Sequence, residues 1–343
     1  MTVRRRTVIS ALLALTASTT LAACGGGDEE YKADPASLQI YSAQHHEITD
    51  AWARAFTAKT GIKTQVRSGK DSSMGHQIVE EGASSPADVF LTENSPAMTV
   101  VERARLLAPV DATTRAQVPA AMTPSSNAWL AIAARSTVMV YNPDKLPADQ
   151  LPTSLMDLAE PEWKDKWGAA PGGADFQAIV AGMLAQKGEA ATASWLKGLK
   201  DGSKTYQNNI ATMKAVNAGE VPAGIIYHYY WYRDQAGNKD GTQNTRLHYF
   251  KNQDPGAFVS LSAGGVLKSS KKPQQAQAFL KFVTSPEGQK ILADSKSMEY
   301  AVGNGVASDA ALPPLASLQA PPVDPFTLNS DQVTRLMTDA GIL

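Results

Sequence analysis

Residues 37–66 read SLQIYSAQHHEITDAWARAFTAKTGIKTQV. Leu38 and Ile40 alternate with polar neighbours, which is the pattern of a short strand. From Ile48 the apolar spacing lengthens: Ile48, Trp52, Ala55 and Phe56 fall on one helical stripe. Gly61 ends that helix, because glycine readily takes the left-handed conformation that closes helices. Residues 62–66 then resume a strand. A second helix over 74–81 and the compact apolar run ADVFL at 87–91 complete a β-α-β-α-β order. Such alternation predicts an α/β fold with a largely parallel sheet covered by helices.

Working outward, residues 137–143 predict a long strand closed by an Asn-Pro turn, with helices over 174–186 and 189–199. Residues 223–227 form another short buried strand, and 256–267 an extended stretch. Helices follow over 274–283 and 287–294, then a proline-rich segment at 312–324 and a last helix over 332–340. A chain of 343 residues strains a single core, so two lobes are expected.

The opening residues MTVRRR lead into an apolar run and then Leu21-Ala22-Ala23-Cys24, the order of a secretory signal. The Leu-Ala-Ala-Cys ending also resembles a bacterial lipobox, which makes Cys24 the expected lipidation site. An acyl anchor holds a protein at a membrane without spanning it. Cys24 is the only cysteine, so no disulfide, Cys-ligated zinc site or Cys-His pair is expected within the chain. The formal net charge of −1 gives no footprint for nucleic acid.

Catalytic signatures are mostly absent, which gives an enzyme no support without excluding one. His46-Glu47-Ile48-Thr49-Asp50 begins like H-E-x-x-H but ends in Asp, and Gly69-Lys70 lacks the rest of a phosphate loop. There is no G-x-S-x-G elbow. What remains lies at strand ends, where open α/β sheets bind ligands. Gln44-His45-His46-Glu47 follows the first strand, Thr92-Glu93-Asn94 the run at 87–91, and Tyr229-Tyr230 the strand at 223–227. The last pair belongs to the stretch IIYHYYWYRD at 225–234, in a chain only 7% aromatic. Neighbours on a straight strand face opposite ways, so both tyrosines reach one atom only if a turn or helix begins there.

Core filling and stacking on a flat ligand are the bland readings of that stretch. The metal reading singles out ferric iron. A phenol has an ordinary pKa of about 10 and ligates only where a strong cation drives off its proton. Calcium and magnesium take carboxylates, carbonyls and water instead. Two phenolates and a carboxylate match the charge of Fe³⁺, and a neutral imidazole completes four protein ligands.

The sequence resembles the ferric-iron-binding proteins of bacterial ABC importers, in IYSAQHHE, TGIKTQVRSGKD, SPADVFLTEN, RSTVMVYNPDKL, YHYYW and DPGAFVSLSAGGVLKSS. The resemblance implies a two-lobed type II periplasmic-binding-protein fold, each lobe a mixed, mostly parallel sheet covered by helices and hinged by crossing strands. It implies His45, Glu93, Tyr229 and Tyr230 as metal ligands. The family holds a small anion beside the iron, and Asn209, Tyr227 and the loop Gly173-Ala174-Asp175 fall near those positions. Here the loop lacks the usual hydroxyl and Asp175 adds a charge, so Asp175, Tyr227, carbonate, water or a chelator is expected there. The implied partners are a permease and an ATPase, and a monomer suits the mechanism. Expected boundaries are a lipoprotein signal at 1–23, a tether at 24–36, lobe 1 at 37–136, lobe 2 at 137–262, a return to lobe 1 at 263–310 and a C-terminal segment at 311–343 packing on lobe 2. The protein is expected outside the cell membrane.

Several neighbours read more plainly. His46 and His228 are expected to be surface or structural, Asp71 to lie on a solvated loop in preference to the cleft rim, and Arg135 to form a hinge salt bridge or pair with a cleft group. Competing functions are the same fold holding a small oxyanion, a phosphonate or a polyamine, and a metal-dependent hydrolase using His45, His46 and Glu93.

Overall fold

A computed structural model describes residues 31–343. The expected signal segment, Cys24 and most of the expected tether lie outside the described residues. Among the described residues, ten strands run in chain order: β1 (Leu38–Ser42), β2 (Thr64–Ser68), β3 (Val89–Leu91), β4 (Leu107–Ala108), β5 (Trp129–Tyr141), β6 (Trp167–Ala169), β7 (Lys204–Thr205), β8 (Ala223–Tyr227), β9 (Arg246–His248) and β10 (Val259–Leu267). The helices are α1 (His46–Thr60), α2 (Asp71–Glu81), α3 (Ser95–Arg103), α4 (Ala112–Arg115), α5 (Ala174–Gly202), α6 (Asn209–Asn217), α7 (His228–Ala236), α8 (Pro273–Val283), α9 (Pro286–Ala293) and α10 (Ser330–Asp339).

The sheet order is β2-β1-β3-β10-β5-β8-β6-β7, with β4 on β10 and β9 on β5. β1 pairs in parallel with β2 and β3, and β6 with β7 and β8. The strands that cross the middle run antiparallel. β5 pairs with β10 from Trp129 to Ser136 and with β8 from Thr137 to Tyr141. All of β5 is buried. A strand covered on both faces shows no apolar–polar alternation, so the sequence marked only its second half. Strands as short as β4, β6, β7 and β9 left no readable pattern.

Two apolar cores flank this crossing. In one, Trp52 and Phe56 of α1 pack on Phe279 and Phe282 of α8, with the Phe56 and Phe279 rings edge-on at 5.2 Å. In the other, Trp167, Phe176 and Trp195 pack together, with Trp195 5.9 Å from Trp167 and 6.1 Å from Phe176. Gly188, at φ +79°, breaks α5 into the two helical stretches that the sequence separated. α10 sets Val333, Leu336 and Met337 into the second core, while Thr99 and Arg103 of α3 donate to the Leu328 carbonyl at 3.0 and 3.1 Å.

Candidate metal centre

Six helices begin at one crevice. His45 precedes α1, Asp71 opens α2, Asn94 precedes α3, and Asp175, Asn209 and Tyr229 lie in the first turns of α5, α6 and α7. This follows from the topology, since each loop leaving the carboxyl end of a parallel strand feeds a helix. Helix N-termini present free N–H groups and a partial positive charge, which favours anionic donors there.

The chain turns after β1 so that His45 faces inward, with its backbone amide donating to Gln44 Oε1 at 2.6 Å. Glu93 follows β3. Its amide and that of Asn94 donate to the two Asp71 oxygens, each at 2.8 Å. Asp71 is thus a buried clamp and not the solvated loop residue expected from the sequence. The backbone needs acceptors there because it leaves the sheet before α3 begins. Tyr229 and Tyr230 share the first turn of α7, where neighbours are about 100° apart and not opposed. Their rings stack at 4.1 Å and both phenols point into the crevice.

The donor atoms form a continuous chain. His45 Nε2 lies 3.3 Å from Glu93 Oε1, which accepts from the Tyr229 hydroxyl at 3.2 Å. Asp175 Oδ2 accepts from Tyr229 at 3.5 Å and from Tyr230 at 3.0 Å. For six ligands near 2.1 Å from one ion, adjacent donors stand roughly 3 Å apart. Among the described residues, no group of three His, Cys, Asp or Glu side chains is arranged to hold a metal. The cluster is therefore metal-competent only with its phenols.

Asp175 sits at the centre of the expected anion position. Asn209 donates to its Oδ2 at 2.8 Å and Asn94 to its Oδ1 at 2.9 Å. Gly173 caps α5 and Ala174 is its first residue, so they place Asp175. Tyr227 stands behind, donating to Asn94 Oδ1 at 3.4 Å. His46 points outward, 71% exposed, and pairs with Asp50 at 3.2 Å. His228 accepts from the Ser136 amide at 3.1 Å and stacks on Tyr300 at 4.6 Å, a structural role.

Arg135, fully buried on β5, ties the crevice together. It lies 2.9 Å from Glu299 Oε2 and 3.8 Å from Glu93 Oε1, donates to the Glu93 carbonyl, and sits 5.5 Å from the Tyr229 ring. Glu299, also fully buried, reaches His45 Nδ1 at 3.0 Å. Sequence reasoning missed Glu299, which lies in no motif, and Asn94, whose position beside Glu93 was the available signal.

Burial raises every buried acid here, and neighbouring charge decides the outcome. Burial and then the Glu93 charge push Asp71 up to about 8 and Asp175 up to about 6. Burial is the largest influence on Glu93 and Glu299 too, but Arg135 and His45 together outweigh it, holding Glu93 low and Glu299 at about 2. Burial depresses His45, yet the hydrogen bond and charge of Glu299, with help from Glu93, bring it to about 9. Burial, then Asp175, raises all three phenols: Tyr227, Tyr229 and Tyr230.

The profile of bacterial extracellular solute-binding proteins matches residues 84–326. The chain belongs to that family. This solute-binding protein is 54% identical to the Fe(3+)-binding periplasmic protein of Serratia marcescens, over 96% of this chain and 97% of that one. It is 39% identical to the major ferric iron-binding protein of Neisseria meningitidis serogroup B, over 90% and 93%. Iron-bound HitA from Pseudomonas aeruginosa superposes with a TM-score of 0.82 at 43% identity, covering 90% of this chain and 100% of HitA. The fold is that of the type II periplasmic binding proteins, as the resemblance implied. No helix among the described residues is long and apolar enough to cross a membrane.

Proposed function

We propose that this solute-binding protein captures ferric iron outside the cell membrane and delivers it to an ABC importer. The single observation that carries this reading is the donor chain from His45 through Glu93, Tyr229 and Asp175 to Tyr230, with separations of 3.0 to 3.5 Å. Phenols are costly to ionise in a buried crevice, and a hard trivalent cation offsets that cost. Glu93 and two phenolates neutralise Fe³⁺, with His45 as a neutral fourth ligand. Asp175 occupies the anion position from within the chain. Water or a small anion such as carbonate completes the shell.

Capture on this reading needs no catalysis. Donors from the β1 and β3 ends meet those of α5 and α7 when the lobes close, and iron leaves when they part. A permease accepts the iron and its ATPase supplies the energy. Lipidation of Cys24 holds the protein at the membrane's outer face, where it works as a monomer.

A visible absorbance titration tests the reading. Metal-stripped mature protein titrated with ferric citrate develops a phenolate-to-iron charge-transfer band that saturates at one iron per chain. Absence of the band in folded protein would leave the Tyr229–Tyr230 pair as a wall for a non-metal solute.

A further inference from the structure

We propose that Glu299 is a positioning residue for iron capture, holding His45 so that Nε2 and not Nδ1 faces the other donors. The inference rests on the reading of His45 as an iron ligand. It begins with the backbone of Ser297-Met298-Glu299-Tyr300. Met298 adopts φ +56°, a left-handed conformation that is unusual for a bulky residue. Immediately afterwards Tyr300 makes a two-way backbone bridge to Ala134 on β5, at 2.9 and 3.0 Å. The turn and the bridge together aim the Glu299 side chain inward beneath His45.

One carboxylate oxygen is committed, and the other faces His45 Nδ1 with no other hydrogen-bond partner for either atom. Oε2 lies 2.9 Å from Arg135 Nη2 and accepts from Gln44 Nε2 at 3.2 Å, while Oε1 lies 3.0 Å from His45 Nδ1. Gln44 Oε1 accepts from the His45 amide at 2.6 Å and from Arg135 at 2.9 Å, fixing the backbone beneath the imidazole. Nδ1 therefore faces an acceptor whose second oxygen is already committed to a fully buried guanidinium. A proton on Nδ1 satisfies that acceptor and leaves the Nε2 lone pair for a metal, beside Glu93 Oε1 at 3.3 Å. An imidazole without this partner can turn or present either nitrogen. A carboxylate behind a ligating histidine also raises its basicity, and removing such partners typically costs about 10- to 100-fold in metal affinity.

The plain alternative is that Glu299 only pairs with Arg135 at the crossing strands. Two measurements separate the roles. In protein labelled with ¹⁵N at its five histidines and loaded with Ga³⁺ as a diamagnetic probe, His45 should show a metal-bound Nε2 and a protonated Nδ1. Ligation through Nδ1, or an imidazole untouched by Ga³⁺, overturns the inference even where the Tyr229–Tyr230 charge-transfer band is intact. Absence of that band in wild type removes the iron reading itself, and this inference with it. Second, Glu299→Gln should lower ferric affinity against citrate by about 10- to 100-fold, but cost little in a His45→Ala background. Equal losses in both backgrounds would assign Glu299 to Arg135 alone. Should the variant fail to fold, the wild-type spectrum decides the question unaided.

Discussion

On one side of the crevice, His45 and Glu93 are held as charged groups between Arg135 and Glu299; on the other, Tyr229 and Tyr230 meet Asp175 as neutral phenols. The first side is built around a guanidinium that faces both of its carboxylates. The second has no positive side chain of its own, and its oxygens share protons in hydrogen bonds. A metal entering the site on the proposed ligation therefore takes one proton from the first half, at His45, and one from each phenol of the second. Affinity then rests chiefly on the phenol half, and structural integrity on the arginine half.

That contrast can be broken most severely at Arg135. Arg135→Met leaves Glu93 and Glu299 buried without their cation, and removing one partner of a buried pair costs about 3–5 kcal/mol. Urea denaturation of the metal-free protein should show that loss, whereas an unchanged midpoint would mean the pair contributes nothing to the fold. On the other side, Tyr230→Phe should barely alter denaturation but weaken iron binding by more than about 100-fold, beyond the usual effect of an outer partner. Citrate competition followed at the charge-transfer band measures it.

A smaller, pH-dependent effect sharpens the same comparison. Asp175 titrates near 6 in the folded protein against an ordinary value of 3.8. Between these values the unfolded chain ionises first, so the metal-free protein loses stability as pH rises from about 4 to about 6. Asp175→Asn should flatten that part of the melting-temperature profile while weakening iron binding. The Glu299 contribution runs oppositely, since its folded value is depressed to about 2: it is present above 4.5 and lost as pH falls through 2. The smallest effect belongs to His46→Ala, at an exposed position beside Asp50. Stability should stay within about 0.5 kcal/mol, and the iron titration should not change.

The sequence revealed the half of the site that local rules govern. His45, Glu93 and the Tyr229–Tyr230 pair all follow strands legible from their apolar runs, and the strand-to-helix turn explains how adjacent tyrosines face one point. The supporting half was hidden because it is assembled across the chain. Glu299 reaches His45 only through the left-handed Met298 and a bridge to β5. Asp71 looked like a loop residue because its partners are backbone amides of Glu93 and Asn94, which no side-chain pattern announces. Arg135 was legible in this half as a group expected to pair at the hinge or in the cleft, although burial on both faces of β5 hid its strand there.

Proton release on iron binding tests the contrast most directly. On the proposed ligation, His45, Tyr229 and Tyr230 each hold a proton near pH 7 that iron would displace, because His45 titrates near 9 and burial raises both phenols. After correction for the chelate, calorimetry in buffers of differing ionisation enthalpy should count roughly three protons per iron, falling by one in Tyr230→Phe. A count near zero, or one that Tyr230→Phe leaves unchanged, would contradict the phenol half of the account.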